Sequence, residues 1–463
     1  MPIDNPSVVR RVDQSYKGRL LLLNDRTEST REAMSGAKQD AYHKIHLAPA
    51  SKPSSCPIDH DFTPFNADYL ENPYPQLERF SQEQPIFYSE QLGYLVLTRH
   101  QDILEVFKNS AVFSSENVQD PVFPVCPKAA EILAVDDYNP VAVMSNRQQP
   151  DHTRIRKFTR EGFSSRRMKM LEPYIRECSD ELLDQMLKNG SPAEFVGSFG
   201  HPLPGQVIFR FIGFPQHDYD ELVGWTGNRL AFTWGKPAEH EQVAIAGNML
   251  RYWRYCRDFV ASRNAQPEDD LTSELLAAHK ANPEELSYRE VESIIYGISF
   301  AGHEIVSNFI ALTLLNVLPN REQWRALCQD ASLIPNALEE VLRCDSPQTS
   351  WRRIATRDTR IGGIDIPAGT QIFLSLGAAN HEEDLFSEPA DFDIYRRNAS
   401  RHISFGHGIH FCLGARLART EGQIAIEALT KRIPDLRLVE NQSLQFAPNI
   451  TFRGPRELYV EWG

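Results

Sequence analysis

Residues 405–414, with the sequence FGHGIHFCLG, carry the strongest chemical signal in the chain. Three glycines, at positions 406, 408 and 414, surround a single cysteine, Cys412, and the helical pattern ARLARTEGQIAIEALTKRI follows directly. Such a loop lets the backbone approach a flat ligand closely, and amide groups before a helix favour a thiolate over a thiol. The alternatives are a buried structural cysteine, a nucleophile paired with His407 or His410, and a zinc ligand, but none of them explains the full spacing.

Composition excludes several classes of protein. The chain has 463 residues, of which 41% are apolar, so disorder over its whole length is excluded. It carries 49 Lys and Arg against 62 Asp and Glu, and this net charge of −13 argues against a nucleic-acid partner. The seven cysteines are odd in number and widely spaced, unlike a disulfide scaffold.

The four-leucine run at residues 20–23 is too short for a signal peptide or a membrane span. We therefore expect a soluble, cytoplasmic protein without a membrane partner.

The spacing of apolar residues predicts a mainly α fold with a minor antiparallel β part. Residues 1–55 are polar and end in a turn-forming run, so we interpret them as a weakly ordered N-terminal extension. Residues 56–463 are predicted to form a single domain. Helical spacing is clear at residues 168–187 and 331–343, whereas GYLVLT at residues 93–98 is typical of a strand.

The longest predicted helix covers residues 288–318. It begins with the capping box of Ser287 and Glu290 and stops before Pro319. It is apolar almost all round, which indicates burial on every face, yet residues 302–304 at its middle read GHE. A membrane span is the rival interpretation, but a glutamate beside a histidine at the middle of a bilayer is costly. The pattern favours a central helix through a globular core, with a buried site at its middle.

The pattern F-x-x-G-x-H-x-C-x-G at residues 405–414 resembles the haem-binding loop of the cytochrome P450 family, in which Cys412 matches the thiolate ligand of the haem iron. Three further motifs occur in the family's order. Glu340 and Arg343 match its E-x-x-R, residues 387–396 resemble its meander, and residues 301–304 (AGHE) resemble its oxygen-binding A-G-x-[DE]. The resemblance covers nearly the whole chain from around Cys56 and implies the cytochrome P450 fold, with a long central helix over the haem.

The resemblance implies one bound haem b with Cys412 as the metal ligand, because thiolate donation to the iron favours O–O cleavage. The haem propionates are carboxylates that need cationic or hydrogen-bonding partners. The implied cofactor-binding residues are His152, Arg156, Arg353, Phe405, Gly406, His410, Cys412 and Gly414. The implied catalytic residues on the central helix are Ala301, Gly302, Glu304 and Ile305.

Ile305 departs from the family pattern, which has a threonine there whose hydroxyl relays the proton needed for O–O cleavage. An isoleucine side chain neither donates nor accepts a proton. Ser307 lies about 200° round the helix and cannot substitute, and Asn308 would reach the site only through water. We expect the proton to arrive through Glu304 and ordered water or from a polar group of the substrate, unless the reaction bypasses this step. The alternative is a neutral variation, because active-site waters often replace direct contacts.

The resemblance implies a haem-thiolate monooxygenase that inserts one oxygen atom from O2 into a small organic substrate. Regions 113–143 and 214–253 match the family's mobile pocket walls. Their aromatic residues predict a compact apolar or aromatic substrate, although such residues are as often core. A peroxygenase, a non-hydroxylating oxidative enzyme and a non-catalytic haem gas sensor are the alternative functions. The aromatic residues in question are Phe113, Phe123, Trp225, Phe232 and Trp234.

The chain most resembles soluble bacterial members whose haem domain is sometimes fused to a flavin and iron–sulfur reductase. It contains no reductase cysteine cluster and no G-x-G-x-x-G nucleotide loop. We therefore expect electrons from a separate ferredoxin and its NAD(P)H-dependent reductase. Arg401, Arg416, Arg419 and Lys431 flank the cysteine loop and are candidates for a basic docking patch, with ordinary solvated charge as the alternative.

Overall fold

Helices make up most of the structure, a computed structural model that describes residues 52–54 and 56–463. Most of the predicted N-terminal extension, residues 1–55, lies outside the described residues, so its boundary at residue 56 stays a prediction. The described residues belong to one compact unit. The α-helices are Ala67–Glu71 (α1), Tyr74–Glu83 (α2), His100–Lys108 (α3), Pro127–Leu133 (α4), Asp151–Gly162 (α5), Ser165–Asn189 (α6), Pro202–Ile212 (α7), Tyr219–Trp234 (α8), Glu239–Ala265 (α9), Leu271–Ala281 (α10), Tyr288–Ala301 (α11), Glu304–Val317 (α12), Arg321–Gln329 (α13), Ile334–Cys344 (α14), Leu376–Ala379 (α15) and Ala415–Arg432 (α16).

The strands of the described part are short and form three small sheets. The largest has the order β1-β2-β3-β9-β6-β4, and it is mixed, because β1 pairs with β2 and β3 with β9 in parallel. The mainly α fold with a minor β part is thus confirmed. The strands are Ile58–Asp59 (β1), Ile86–Ser89 (β2), Tyr94–Leu97 (β3), Phe113–Ser114 (β4), Ala193–Glu194 (β5), Ser350–Ala355 (β6), Thr359–Ile361 (β7), Ile364–Ile366 (β8), Gln371–Ser375 (β9), Arg437–Leu438 (β10) and Tyr459–Glu461 (β11).

The central helix predicted over residues 288–318 is two helices, α11 and α12, separated by a break at Gly302 and His303. Both predicted ends are confirmed: the Ser287 hydroxyl and the Glu290 side chain form the capping box, and α12 ends at Val317. The prediction of one unbroken helix is wrong. The backbone hydrogen bonds between successive helical turns are interrupted in the middle of this segment, as at many functional sites.

Buried contacts of His303 explain the break. His303 is fully buried, its Nε2 donates to the His201 carbonyl (2.9 Å), and its Nδ1 pairs with Thr226 Oγ1 (2.7 Å). Thr226 lies on α8 and His201 lies just before α7. His303 is therefore held in place by residues outside the central helix. A side chain at Gly302 would lie 2.6 Å from Ile208, so close packing of α7 requires glycine at the break.

Tyr288–Val317 is the one helical segment among the described residues that is long and apolar enough to cross a membrane. Of its most apolar window, 67% is buried inside the protein. A core helix of a large globular domain has the same length and composition. The segment therefore gives only weak support for a membrane span.

A buried charge cluster joins α14 to the meander, residues 387–396. Arg343 Nε and Nη2 donate to the Glu340 carboxylate at 2.8 and 2.7 Å, and both side chains are fully buried. Arg396 Nε donates to the same carboxylate at 2.9 Å. The remaining guanidinium N–H groups donate to carbonyl groups at positions 380, 387, 388, 389 and 391. The E-x-x-R motif is thus a buried network that fixes the chain leading to the cysteine loop.

Replacing the carboxylate of this network tests its structural role. Glu340→Gln is expected to lower the free energy of unfolding by about 3–5 kcal/mol, because two buried guanidinium groups lose their counter-charge. Glu427→Gln is the control, since it loses an ion pair on α16 with Arg176, whose side chain is 51% exposed. The control substitution is expected to lower the free energy of unfolding by about 1 kcal/mol. Chemical denaturation measures the free energy of unfolding of both variants. Equal losses of stability in the two would contradict the structural role of the buried network.

Candidate active site

Cys412 lies in a tight loop between Phe405 and the start of α16. The Cys412 amide donates to the Phe405 carbonyl (2.9 Å), which closes the loop. Gly406 and Gly408 have φ angles of +69° and +73°, a region that favours glycine. A side chain at position 408 would also lie 2.6 Å from the carbonyl oxygen of Phe107 on α3. The glycines therefore allow the backbone to turn tightly and bring Cys412 to the interior.

Cys412 has substantial accessible surface because it lines a cavity, although protein atoms surround it closely enough for burial to act on its thiol. Burial raises the pKa of the Cys412 thiol, whereas the amide groups of Gly414 and Ala415 and the guanidinium groups of Arg156 and Arg419 lower it. The amide groups stand at the N-terminus of α16, where the helix dipole favours a negative charge. The loop thus offsets part of the cost of a buried thiolate.

The cavity lies between the cysteine loop and the broken central helix. Ten of the twelve residues predicted for the site line it, the exceptions being His152 and Glu304. The ten are Ala301, Gly302 and Ile305 from the central helix, Phe405, Gly406, His410, Cys412 and Gly414 from the loop, Arg156 from α5 and Arg353 from β6. The sequence motifs, which are up to 258 residues apart (156 to 414), therefore meet at one place.

Four nitrogen-bearing side chains form a cationic cluster beside Cys412: Arg156, His152, Arg353 and His410. The His152 and His410 rings lie 4.3 Å apart, and Arg156 donates to the carbonyl of the loop residue before Cys412. Arg353 is fully buried on β6 and donates to a backbone carbonyl (2.7 Å). No carboxylate of the described residues pairs with any of the four.

Burial controls the protonation of this cluster. It lowers the pKa of Arg353 to about 9, of His152 to about 4 and of His410 to about 3, and the charge of Arg353 adds to the effect at His410. At neutral pH the arginines carry charge, and the two imidazoles are neutral and can each donate one hydrogen bond. His410 pairs with Ser115 Oγ (3.2 Å) and with the Met144 carbonyl (3.1 Å).

These residues fit the haem b that the sequence predicts. Both ring nitrogens of His152 are buried without a hydrogen-bond partner among the described residues, and a buried polar group requires one. The buried charge of Arg353 likewise requires an anion. A Cβ at Gly414 would meet no atom within 4 Å, so the backbone presents a bare surface on which a flat ring can lie. Propionates and a macrocycle would satisfy the last two features, whereas His152 does not line the cavity and lies 4.3 Å from His410, which does.

Glu304, predicted as a catalytic residue, is directed away from the cavity. Its Oε2 pairs with His201 Nε2 at 3.2 Å, and it lies against Gly227 of α8. The His201 and His303 rings lie 4.1 Å apart. Hydrogen bonding and charge from His201 lower the pKa of Glu304 against the opposing effect of burial. The helix break turns this residue outward, which the periodicity of an unbroken helix does not predict.

Ile305 lines the cavity, at the position where the family pattern has a hydroxyl. The Ser307 hydroxyl donates to the His303 carbonyl (3.1 Å), and Asn308 packs against Gly454. Neither of these two side chains lines the cavity. The expectation that Ser307 cannot replace the missing hydroxyl agrees with this geometry.

Only one of the five aromatic residues predicted for the pocket walls lines the cavity, and that residue is Trp234. Phe113 lies in the core beside the mixed sheet, and Phe232 is buried in the main core. Phe123 packs on Phe65 (5.2 Å), and Trp225 packs on aromatic side chains of α9. For these four residues the alternative interpretation, that they pack in or against the core, agrees with the structure, because aromatic content alone does not separate core from cavity wall.

Several cavity residues were not predicted from the sequence. Trp351, Gln348 and Phe452 come from β6 and from segments without a motif, so no local pattern identifies them. Glu421 on α16 also lines the cavity, together with Leu417 and Ala418. Glu421 follows the buried Leu417 by one turn and interrupts the apolar face of α16. This interruption could have been recognised in the sequence.

Comparison with known proteins supports one family. The family model for cytochrome P450 matches residues 239–432. Vitamin D(3) 25-hydroxylase of Pseudonocardia autotrophica is 33% identical over 406 residues, which are 86% of this chain and 96% of that protein. Among solved structures, cytochrome P450 CREJ in complex with (4-ethylphenyl) dihydrogen phosphate has a TM-score of 0.84 at 36% identity, covering 87% of this chain and 100% of that chain.

One solved structure is matched over only part of its length. An intact type IV self-sufficient cytochrome P450 monooxygenase has a TM-score of 0.85 at 33% identity, and the match covers 90% of this chain but 55% of that chain. The predicted fold class is confirmed by these structures. Full-length similarity to curated relatives, together with Cys412 in a cavity lined by ten predicted residues, leads to one conclusion. The chain belongs to the cytochrome P450 family, whose members are monooxygenases that bind haem b.

Proposed function

We propose that this enzyme inserts one oxygen atom from O2 into a small apolar or aromatic compound, with electrons from a separate ferredoxin and its NAD(P)H-dependent reductase. The observation that carries the substrate class is an aromatic wall in the cavity that Cys412 faces. Cytoplasmic location is part of the proposal, because all seven cysteines are free thiols, as in a reducing compartment.

The aromatic wall consists of Trp234, Trp351 and Phe452. The two indole rings are stacked at 5.8 Å, and Phe452 meets Trp234 edge-on at 4.9 Å. Apart from the residues assigned to the haem site, the polar side chains that line the cavity are Gln119, Ser145, Gln348, Ser404 and Glu421. A flat ring that enters here gains aromatic contacts as well as apolar burial. The CREJ structure holds an ethylphenyl phosphate, which is consistent with an aromatic substrate in a similar fold.

Haem bound in this cavity supplies the redox chemistry that activates oxygen. The roles proposed for the residues follow from their positions. Cys412 holds the metal through its thiolate, and Arg353, Arg156, His152 and His410 hold the propionates by charge and by hydrogen bonds. The apolar residues of the central helix and the aromatic wall exclude water and orient the substrate. Ala301 and Gly302 leave space at the helix break, where the backbone lines the cavity.

A basic surface beside the cysteine loop supports docking of an acidic ferredoxin. Phe411 precedes Cys412 and is 42% exposed, and Arg416 is exposed next to it on α16. The Arg416 side chain contacts Ser165 at the start of α6, where Arg166 and Lys169 are also exposed. Complementary charge steers such encounters and fixes their orientation. We name Phe411, Arg416, Arg166 and Lys169 the docking face.

Of the four residues predicted for the docking patch, Arg416 belongs to the docking face, Arg401 is exposed but is not included in it, and Arg419 and Lys431 do not support it. Arg419 is engaged by Glu339 at 2.6 Å and lies over the Phe405 ring, so its charge is already paired. Lys431 stands 15 residues after Arg416 on the same helix, about 22 Å away at 1.5 Å per residue. The docking face therefore extends from Arg416 toward α6 and not along α16.

A peroxygenase is the second candidate function. The observations that favour it are that Ile305 offers no hydroxyl to the cavity and that Glu304 pairs with His201 instead of facing it. Hydrogen peroxide is O2 that has already gained two electrons and two protons, so a reaction with peroxide needs neither a redox partner nor this delivery of protons. Turnover with hydrogen peroxide at rates equal to those of the ferredoxin system would favour this candidate.

The aromatic wall predicts a preference among ligands. Aromatic probes such as 4-ethylphenol and indole are expected to shift the haem absorption band, whereas aliphatic acids of similar size shift it less. Trp351→Leu is expected to weaken aromatic binding about 2- to 10-fold, the equivalent of losing one ring contact of about 0.5–1.5 kcal/mol. Phe123→Leu is the matched control, because Phe123 does not line the cavity. Equal effects of both variants would contradict the proposed substrate site.

The docking face predicts how electron transfer responds to charge. Arg416→Glu is expected to raise the KM for ferredoxin several-fold, and turnover of the native enzyme is expected to fall as salt rises, since exposed charges are screened within about 8 Å at physiological ionic strength. Lys431→Glu is the matched control at the far end of α16. NAD(P)H oxidation at varied ferredoxin concentration measures both. Full NAD(P)H-driven turnover by the purified chain alone would overturn the proposed partner.

A further inference from the structure

Gln348 lies in the short connection between α14 and β6, where hydrogen bonds fix its backbone. Its backbone N–H donates to Ser346 Oγ (3.2 Å), and its carbonyl accepts from the same hydroxyl (2.8 Å). It also forms an antiparallel bridge with Phe452, and the next residue, Thr349, donates from its backbone N–H to the Thr451 carbonyl (2.8 Å). The backbone therefore holds residue 348 at a fixed place in the cavity wall.

This part of the wall belongs to the side of the cavity that the central helix forms. Gln348 and its bridge partner Phe452 both line the cavity. Gly454, two residues after Phe452, packs on α12, where a Cβ would collide with Asn308. Asn308 follows Ile305 by almost one helical turn, and Ile305 also lines the cavity. Gln348 therefore shares this side of the cavity with Ile305 and the aromatic wall.

The side chain of Gln348 carries an open hydrogen-bonding group. Neither the nitrogen nor the oxygen of its side-chain amide has a hydrogen-bond partner among the described residues. The side chain is half-buried and both atoms stay accessible, in contrast to the carboxyl oxygens of Glu421 and the indole nitrogen of Trp234, which are closed off. A ligand in the cavity can thus use both a donor and an acceptor of this amide.

The other polar side chains that line the cavity outside the haem site are engaged or closed off. Gln119 Nε2 donates to Ser145 Oγ (3.2 Å), and Gln119 Oε1 accepts from Arg229 (3.4 Å). The Ser404 hydroxyl donates to the Leu342 carbonyl (2.6 Å). Outside the haem site, the described cavity wall therefore has one polar side chain that is accessible and makes no hydrogen bond within the protein, and it belongs to residue 348.

Charge restricts which ligands can use this amide. The cationic side chains among the described cavity residues are Arg156 and Arg353, and both belong to the haem site. An amide is uncharged, so an anionic ligand buried against it would lose hydration without gaining a counter-charge. A neutral group such as a phenolic hydroxyl costs less to bury and can both donate to and accept from the amide.

We propose that Gln348 selects an aromatic substrate that carries a neutral hydrogen-bonding substituent, such as a phenolic hydroxyl. The ring packs on Trp351 and Phe452, and the substituent pairs with the side-chain amide of Gln348. Because the backbone at residue 348 is fixed, this pairing orients the ring as well as binding it. The inference names the substrate class of the cavity and rests on the proposed function.

Two ligands of nearly equal shape test the role of the amide. 4-Ethylphenol carries a hydroxyl group, and 4-ethyltoluene carries a methyl group in its place. Their dissociation constants are measured from the ligand-induced shift of the haem absorption band of the haem-loaded full chain. Gln348→Met keeps the length of the side chain and removes its amide. It is expected to weaken binding of 4-ethylphenol on the order of 10-fold and not to weaken binding of 4-ethyltoluene, because only the hydroxyl loses a partner.

Gln119→Met is the matched control, because Gln119 lines the same cavity but its amide is bound by protein groups. It is expected to change the two dissociation constants by the same factor. The titrations need no redox partner, so they do not depend on the proposed ferredoxin. If neither ligand binds the native enzyme, the proposed substrate class and this inference both fail. If both ligands bind and Gln348→Met leaves the ratio of their dissociation constants unchanged, the inference alone fails.

A gain of binding gives a second test that a merely misfolded variant cannot pass. The native enzyme is expected to bind 4-ethylbenzoate at least about 10-fold more weakly than 4-ethylphenol, because the carboxylate finds no counter-charge. Gln348→Arg supplies a guanidinium group at this place and is expected to bind 4-ethylbenzoate at least about 10-fold more tightly than the native enzyme does. A native preference for 4-ethylbenzoate, or a haem-loaded Gln348→Arg without this gain, would overturn the inference.

Discussion

The buried cationic cluster beside Cys412 is the constraint on which the site depends. Arg353 and Arg156 carry charge, His152 has two unpartnered ring nitrogens, and no carboxylate of the described residues compensates them. Such an arrangement is costly in a low-dielectric interior unless an anion is bound. In the proposed haem site, the two propionates would supply the missing negative charge. Arg353 and Arg156 would hold the propionates by charge, and Cys412, in the tight glycine loop, would hold the iron.

The fold provides two rigid supports for this arrangement. Glu340 holds Arg343 and Arg396 inside the protein, and the two guanidinium groups bind the carbonyl groups of the meander that leads to the loop. The second support is the break at Gly302, where buried hydrogen bonds of His303 interrupt the central helix. The break directs Glu304 toward His201 and leaves Ile305 toward the cavity.

Sequence motifs predicted the parts of the site that are set by local backbone chemistry. The glycines around Cys412, the capping box at Ser287 and the pair Glu340 and Arg343 each act within a few residues, so their patterns were sufficient. Long-range packing was not predictable in this way. The break at His303 depends on Thr226, which is 77 residues away along the chain. Likewise, Trp351 and Phe452 line the cavity, whereas Phe113 belongs to the core and Trp225 packs against it, and nothing in their local sequence distinguishes them.

The central claim is that Cys412 binds the haem iron as a thiolate in this cavity. The most direct measurement is the absorption spectrum of the reduced enzyme with carbon monoxide, for the native chain, Cys412→Ala and Cys178→Ala. Cys178 is a buried core thiol on α6 and serves as the matched control. The account predicts the red-shifted Soret band of a thiolate-bound haem in the native enzyme and in Cys178→Ala, and its loss in Cys412→Ala. Retention of that band by Cys412→Ala would contradict it.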